Sequence, residues 1–596
     1  MDQIKVDFTK KGRKGAKEIF IPPEKAGVKI VINIIVMVLT AAIGFYFMLP
    51  AINLRSTQFY MYIAMVLGSY AASAFITSKA FAKPEYMPYV RRQATVPVII
   101  LLAFLLILGC GYVSSATIFR AKAYSRILDI NEAPFAESKC KVETLEDFNK
   151  IPLIDADSAK ALANKTVGDL GTEWASQYLL EDTYTVSINY KEQPTRAYPL
   201  KYGDVFKWLK NRSEGQPGYI IINMNTQKSE FVKLQDIGLD NIKYTMTEHF
   251  GRYFMRMVRF EHPTFLLANP CFEIDDEGTP FWTVEHITKR VGLLGGDDVI
   301  GLVMVNACTG DMFYYTIDEI RTGTADSGVD LMWLDRVFAS SILIDQYNYF
   351  GKYSNGFINF YIGQTGVKVT TQGLNYLAID DDIYIYSGVK SIIQDDSIIG
   401  FILINQRTKE ASFYFASGTT EAGAQSAAKG IVQDKGWDAT FPILINVDSQ
   451  ATYLMALKDK GNIVKSFAMV NVDQVNDAVR SPSDDNPNIR ECMEAYISKL
   501  AQRNLFVNVD MGGGNLPGTA DEEETAEGTI VSIRETVIGG YSVYYIKLAD
   551  DSGWYTLSIS TAPEAAICEV GDKVKIYYKP VEDGINIISA FKIELQ

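Results

Sequence analysis

Near the N-terminus three uncharged stretches run long enough to matter. Residues 30–49 contain no Asp, Glu, Lys or Arg, and about twenty helical residues span the ~30 Å hydrocarbon core of a bilayer. Residues 59–76 form a second, shorter stretch, with Gly68 and Ala72 spaced for close helix contact. Residues 96–119 are the most apolar, and Pro97 is expected in the first turn of that span, where a missing N–H does no harm. Three transmembrane helices joined by short loops are predicted. After residue 120 the pattern changes to short β-branched and aromatic runs separated by turn residues, the chemistry of strands.

Within this second region one pattern repeats. Gly218-Tyr-Ile-Ile-Ile-Asn-Met-Asn-Thr226, Gly301-Leu-Val-Met-Val-Asn-Ala-Cys-Thr309 and Gly400-Phe-Ile-Leu-Ile-Asn-Gln-Arg-Thr408 each lead into an aromatic-containing run. Four consecutive apolar residues suit a strand buried on both faces. Asn223, Asn306 and Asn405 are placed to bond their own backbone as the turn begins. Each copy therefore predicts a β-hairpin, and a looser fourth copy is read at 453–457, 459–461 and 464–472. Helices are predicted at 202–211 and 421–432, and a core helix at 331–350. A further helix is expected at 487–503, with Asn486 as its cap and Pro487 in its first turn.

The Gly-apolar-Asn-x-x-Thr hairpin resembles that of PepSY-type domains, small exterior α+β modules that occur in tandem with a helix before the hairpin. The resemblance covers only part of the region. It implies binding, inhibitory or chaperone-like roles near the cell surface and carries no catalytic residues. Asn223, Thr226, Asn306, Thr309, Asn405 and Thr408 are accordingly expected to be architectural.

Residues 509–527 are Gly-rich and then acidic, with little to bury, and predict a flexible linker. From residue 528 onward, strands are predicted at 529–537, 541–549, 554–560, 573–579 and 585–594. Gly539-Gly540 supplies a turn and 563–568 a short helix. This order resembles a small OB-fold barrel. Many such barrels bind single-stranded nucleic acid through a cationic track, but here acids outnumber the basic residues Arg534, Lys547, Lys573, Lys575, Lys579 and Lys592.

Charge divides the chain in two. Residues 1–116 carry thirteen Lys/Arg against five Asp/Glu, and the remainder forty-four against sixty-six. An acidic bulk argues against nucleic acid as a partner. Basic residues crowd the segment before the first span and the loop between the second and third, while Arg55 is alone between the first two. The positive-inside rule then places the N-terminus in the cytoplasm and the large C-terminal region outside.

The candidate chemistry is sparse. Six scattered cysteines do not make a disulfide scaffold; Cys271 with Cys308 is conceivable, and buried free thiols are the simpler reading. Cys271 and His286 form a conceivable nucleophile–base pair without a patterned third partner. No zinc motif occurs among the three histidines. The acidic runs Asp380–Asp382, Asp395-Asp396 and Asp484-Asp485 are read as exposed loops in preference to Ca²⁺ ligands.

The expected fold is a three-helix transmembrane anchor (30–119) behind a basic cytoplasmic tail (1–29). It continues into an α+β exterior region of tandem helix/β-hairpin units (120–508), a linker (509–527) and a small β-barrel (528–596). The expected role is a membrane-anchored extracytoplasmic binding or assembly protein of the cell envelope, scaffold-like or chaperone-like, without catalytic, metal or cofactor site. Its expected partners are the bilayer, membrane or envelope proteins and a further copy of itself. A subunit of a transport or secretion complex, or a protease-regulating component, is the alternative.

Overall fold

The computed structural model describes residues 20–596 apart from 394–395, 484–486, 504, 506, 508, 512–523, 539–540, 550, 552, 559–567, 580–585 and 595–596. The expected cap Asn486, the turn at 539–540 and most of the helix at 563–568 lie outside the described residues, as do most of the basic tail and most of the linker.

Three helices are long and apolar enough to cross a membrane: α1 (Ala26–Met48), α2 (Thr57–Thr77) and α3 (Met87–Ser115). Helix α3 begins earlier than its apolar run, so Pro97 lies inside the helix and not in its first turn. Within the chain no other helix closes on Gly68, where a Cβ would meet nothing within 4 Å. The close approach is at Gly44, where a Cβ would collide with the Met65 side chain and lie 3.4 Å from Tyr62. A polar pin joins the same two helices. The buried Asn33 Oδ1 accepts hydrogen bonds from Ser73 Oγ at 2.8 Å and Thr77 Oγ1 at 3.0 Å.

A short helix, α4 (Thr117–Tyr124), leads into four sheets, each built on an antiparallel four-stranded meander in sequence order. Short strands extend three of them: Asn131–Pro134 runs parallel to Ala411–Thr419 and Lys141–Val142 parallel to Ile443–Val447, while Tyr178–Leu180, Lys368–Thr370 and Asp438–Ala439 pair antiparallel. The meanders are numbered as sheets I to IV in chain order. Sheet I comprises β1 (Ser187–Tyr190), β2 (Gln193–Tyr202), β3 (Gly218–Asn223) and β4 (Ser229–Lys233). Sheet II comprises β5 (Leu266–Ile274), β6 (Pro280–Val291), β7 (Gly295–Asn306) and β8 (Met312–Thr316). Sheet III comprises β9 (Asn375–Ile379), β10 (Asp382–Ser391), β11 (Ser397–Asn405) and β12 (Ala411–Thr419). Sheet IV comprises β13 (Ile443–Val447), β14 (Gln450–Lys458), β15 (Val464–Asn471) and β16 (Val479–Arg480). Helix α5 (Ala156–Asp169) precedes sheet I, and α6 (Val205–Asn211) sits between β2 and β3. Helices α7 (Phe254–Glu261), α8 (Ser340–Tyr353) and α9 (Glu421–Gly430) precede sheets II, III and IV, and α10 (Ile489–Ala501) follows.

The repeated pattern is the third strand of each sheet, and its apolar run has a direct cause. Successive side chains of a strand point to opposite faces, and each of these strands lies between two cores. Leu302 and Met304 of β7 pack with Ile385, Ile402 and Ile404 of sheet III, while Val303 and Val305 pack with Tyr219 of sheet I. In β11, Ile402 and Ile404 face sheet II, while Phe401 and Leu403 face a core shared with sheets I and IV. The glycine opening each repeat is fixed by close approach. A Cβ at Gly218 would lie 3.0 Å from Phe231 Cζ, one at Gly301 2.5 Å from Tyr314 Oη, and one at Gly400 2.6 Å from Phe413 Cζ. At Gly218 and Gly400 a backbone carbonyl of the fourth strand, Val232 O and Tyr414 O, stands closer still, so that strand's backbone and its aromatic side chain together fill the space a side chain would need.

The fourth copy is registered differently from expectation. The segments 453–457 and 464–472 do form a hairpin, but as second and third strands. The residue equivalent to the repeat asparagines is Asn471, whose Oδ1 accepts from the N–H groups of Asp473 and Gln474 at 3.0 Å each. Residues 331–339 are not helical. Val337 N and Phe338 N bond the Gln406 carbonyl at 3.2 and 2.8 Å, which spends the chain on sheet III until Ser340 opens α8. Helix α10 starts at Ile489, capped by Asn488 Oδ1 accepting from Arg490 N at 3.0 Å. The linker is shorter than expected at both ends. Val509 and Met511 are buried, Asp510 bonds Glu143 and Leu145, and Glu524 already belongs to a strand. That strand, β17 (Glu524–Ile538), joins β18 (Tyr541–Leu548), β19 (Tyr555–Ser558), β20 (Lys573–Lys579) and β21 (Asn586–Glu594) in a closed barrel ordered β17-β18-β19-β21-β20.

Sheet II sits on the ends of the apolar helices. Arg256 Nε on α7 donates to the Tyr46 carbonyl at 3.2 Å, and Arg259 Nε donates to Leu49 O at 3.0 Å. These carbonyls at the C-terminus of α1 lack intrahelical partners, and cations suit that end of the dipole. Ile52 N bonds Pro263 O at 2.8 Å, Phe260 packs edge-on against Phe45, and Ser115 Oγ accepts from Leu294 N at 2.9 Å.

Candidate functional site

The repeat residues singled out in the sequence sit at the three β-turns. Asn223 Oδ1 accepts from Asn225 N and Thr226 N at 2.9 and 2.8 Å, and Asn306 Oδ1 from Cys308 N and Thr309 N at 2.9 and 3.0 Å. Asn405 Oδ1 accepts from Arg407 N and Thr408 N, both at 2.8 Å. In each turn the third strand's asparagine satisfies two N–H groups that the hairpin leaves free. These are supports of the fold, spread over three sheets and not brought to one place.

Cys271 and His286 are not paired. They lie on neighbouring strands, but Cys271 stands opposite Thr283 and His286 opposite Leu267. Cys271 Sγ lies 3.0 Å from Thr283 Oγ1 and 3.4 Å from Glu273 Oε1, and burial pushes its thiol up to about 12. A thiol held protonated is no nucleophile. His286 stacks on Phe265 at 3.7 Å and bonds Tyr314 Oη at 3.0 Å; burial lowers it to about 4. Cys271 and Cys308 form no disulfide; both are buried thiols. Asp382 is committed to Arg407, at 2.5 and 2.9 Å, and to Asn405 Nδ2 at 2.7 Å. Among the described residues no group of three or more His, Cys, Asp or Glu is placed to hold a metal ion.

The densest chemistry surrounds Cys271 instead, at the junction of three sheets. Glu273 and Glu285, both buried, lie on the face of sheet II turned toward the 331–339 segment. Glu273 Oε1 accepts from Thr283 Oγ1 at 3.1 Å and its Oε2 from Arg336 N at 3.4 Å. Glu285 accepts from Asn269 Nδ2 at 2.6 Å and from Ala339 N at 2.5 Å. Asp335, also buried, accepts from Asn189 N of sheet I at 2.6 Å, and its other oxygen has no partner. Asn189 Nδ2 in turn donates to Asp380 O of the β9–β10 turn at 3.2 Å. Arg336 Nη1 donates to Asn269 O at 3.3 Å.

Two of the three carboxyls, Glu273 and Glu285, therefore lie in the field of one guanidinium, that of Arg336. Burial raises Glu285 to about 7 and pushes Glu273 and Asp335 upward too, against the hydrogen bonds they accept. Burial works against the charge of Arg336 as well, but Cys271, Glu285 and Glu273 around it prevail and hold it protonated. The cluster joins sheets I, II and III. Sequence reading missed it, yet a sign was present. Glu273 and Glu285 interrupt the apolar strands Cys271-Phe-Glu-Ile274 and Trp282-Thr-Val-Glu285 at positions of one parity, where a solvent-facing residue is not expected.

Comparison with protein-family models, with curated proteins and with solved structures finds no match to this chain.

Proposed function

We propose that the chain is a membrane-anchored binding and assembly protein of the cell envelope, scaffold-like or chaperone-like, with its N-terminus cytoplasmic and its sheets and barrel outside. The observation that carries this reading is the mounting of sheet II on the apolar helices. Arg256 and Arg259 cap the end of α1, and Ser115 ties the end of α3 to Leu294. A body fixed at both ends of its anchor presents its surfaces at a set height and angle, as a scaffold requires. The charge asymmetry of the N-terminal loops supports the orientation. The hairpin repeats favour a PepSY-like binding or inhibitory role. The barrel, read as OB-like, offers Trp554 flanked by Arg534 at 5.3 Å and Lys547 at 5.9 Å, a surface suited to a protein or glycan.

Two measurements test it. Asn515→Cys, in the linker, is labelled in intact cells with a membrane-impermeant thiol reagent, with wild type as background. Labelling before lysis is expected; labelling only after lysis, once wall access is controlled, reverses the orientation. A photo-reactive residue in place of Lys547 is then expected to give one discrete adduct in cells, diminished by Trp554→Ala. An adduct pattern unchanged by that substitution removes the barrel surface from the reading.

A further inference from the structure

The segment after α8 carries more exposed apolar surface than its position in a folded body accounts for. Residues 353–367 contain no Asp, Glu, Lys or Arg. A single π-turn, Asn359–Gly363, presents Ile362 at 82% exposure, with Ile358 at 72% and Tyr361 beside them. Soluble surfaces scatter such residues singly, and a contiguous apolar patch marks an interaction site.

Its location identifies what covers it. Helix α4 opens at Thr117, two residues after α3 ends at Ser115, so Ile118 and Phe119 follow the end of that span by only three and four residues. Both are exposed, Phe119 at 68%. The π-turn is tied to this same helix through a chain of tilted and edge-on ring contacts, bridged by Tyr349 stacked on Tyr353. Tyr124 packs on Tyr349 at 4.7 Å, Tyr353 on Phe360 at 5.6 Å, and Phe357 on Tyr361 at 4.7 Å. On the other flank Phe260 touches Phe45 and Tyr46 in the last turns of α1, which puts the underside of sheet II at the membrane surface there too. The patch is continuous with the anchor on one side, and its 353–367 part carries no charge.

We infer that the π-turn Asn359–Gly363, together with Ile118 and Phe119 of α4, dips into the interfacial layer of the bilayer beside the exit of α3, as a second, monotopic contact with lipid. Tyr361 supplies the amphipathic ring that favours the headgroup level, and Lys352, whose ammonium stands 6.0 Å from the Phe360 ring, reaches toward the phosphates. The contact does not depend on which side of the membrane the sheets occupy. It adds a lipid contact to the support that the ends of α1 and α3 already give the body.

The test uses the full chain with Cys110→Ser, reconstituted in phosphatidylcholine–phosphatidylglycerol nanodiscs. An environment-sensitive fluorophore is placed at Ile362→Cys, at Ile358→Cys in a second protein, and at the exposed Asp434→Cys as control. The expected result is blue-shifted emission at both patch sites relative to the control. Doxyl groups near the headgroup should quench them more than doxyl groups near the chain end, and iodide should quench them little. Iodide quenching equal to the control overturns the inference. Protection from both iodide and doxyl lipid also overturns it, because the patch would then be covered by a second copy of the chain.

Discussion

Lys409 Nζ lies 2.7 Å from Asp298 Oδ1, and each side chain is only 8% exposed. The pair crosses from the third repeat turn of sheet III to β7 of sheet II, and the same ammonium donates to Ile127 O at 3.1 Å, just beyond α4. Burial opposes the charge of both partners, but they respond differently. Asp298 is held below the ordinary carboxylate range despite its burial, because Lys409, Arg290 and Gln346 all donate to it. Lys409 is lowered because burial, with Arg321 and Arg290 nearby, outweighs the single carboxylate. The three-donor carboxylate is the more firmly charged member. Lys409→Met therefore leaves a buried anion short of a partner and is expected to cost about 3 kcal/mol or more. Thermal unfolding of the detergent-solubilised chain checks this, and adding Asp298→Asn should restore part of the loss. A double variant no better than the single one would remove the pair from the account.

At Gly301 two effects compete. Replacing glycine by alanine lowers the entropy of the unfolded chain, a gain of about 0.4–1 kcal/mol. The new Cβ would stand 2.5 Å from Tyr314 Oη and 2.7 Å from its Cζ, and overpacking of this kind costs about 1–3 kcal/mol. The clash should win, so Gly301→Ala is expected to lower the melting temperature. It should also disturb the His286–Tyr314 hydrogen bond, which the His286 ring resonances report.

The repeat was legible because its constraint is local. The sandwiched third strand demands an unbroken apolar run, the close backbone and aromatic ring of the fourth strand demand a glycine opposite, and the turn demands an asparagine, all within one hairpin. What sequence could not place is set by distant partners. The 331–339 segment has a helical spacing of apolar residues, but Gln406 and Glu285 take its backbone N–H groups from elsewhere in the chain. Pro97 was misplaced because α3 begins in a polar stretch that hydropathy does not mark. The carboxyl cluster joins residues from sheets I and II and from the segment between sheets II and III, and no spacing along the chain encodes that meeting.

Asn306 tests the turn argument cleanly. Its Oδ1 accepts from Cys308 N and Thr309 N, a role a carboxylate fills as well. Asn306→Asp is expected to be close to neutral. Asn306→Ala strands two N–H groups and should cost about 1–2 kcal/mol. Urea unfolding followed by tryptophan fluorescence separates the two; equal losses would mean that the carboxamide's other atoms matter more than its acceptor.

Glu285 gives the junction a pH signature whose sign is fixed by burial. The folded carboxyl titrates at about 7 against 4.5 when unfolded, so between these values the folded chain holds a proton that the unfolded chain has released. Its contribution therefore falls as pH rises through that window and is flat above it, a change of about 3 kcal/mol. His286 acts oppositely: lowered to about 4 from 6.5, it makes the unfolded chain the better proton binder, and stability rises with pH between those values. The two slopes partly cancel in wild type, which makes its own pH profile a poor test. The difference between wild type and Glu285→Gln isolates one group, because the amide still accepts from Ala339 N and cannot ionise. Glu285→Gln is expected to gain stability relative to wild type as pH rises from 5 to 8, with the gain levelling off above about 7. A difference that stays constant across that range would show that Glu285 is charged in the fold and that Arg336 neutralises it.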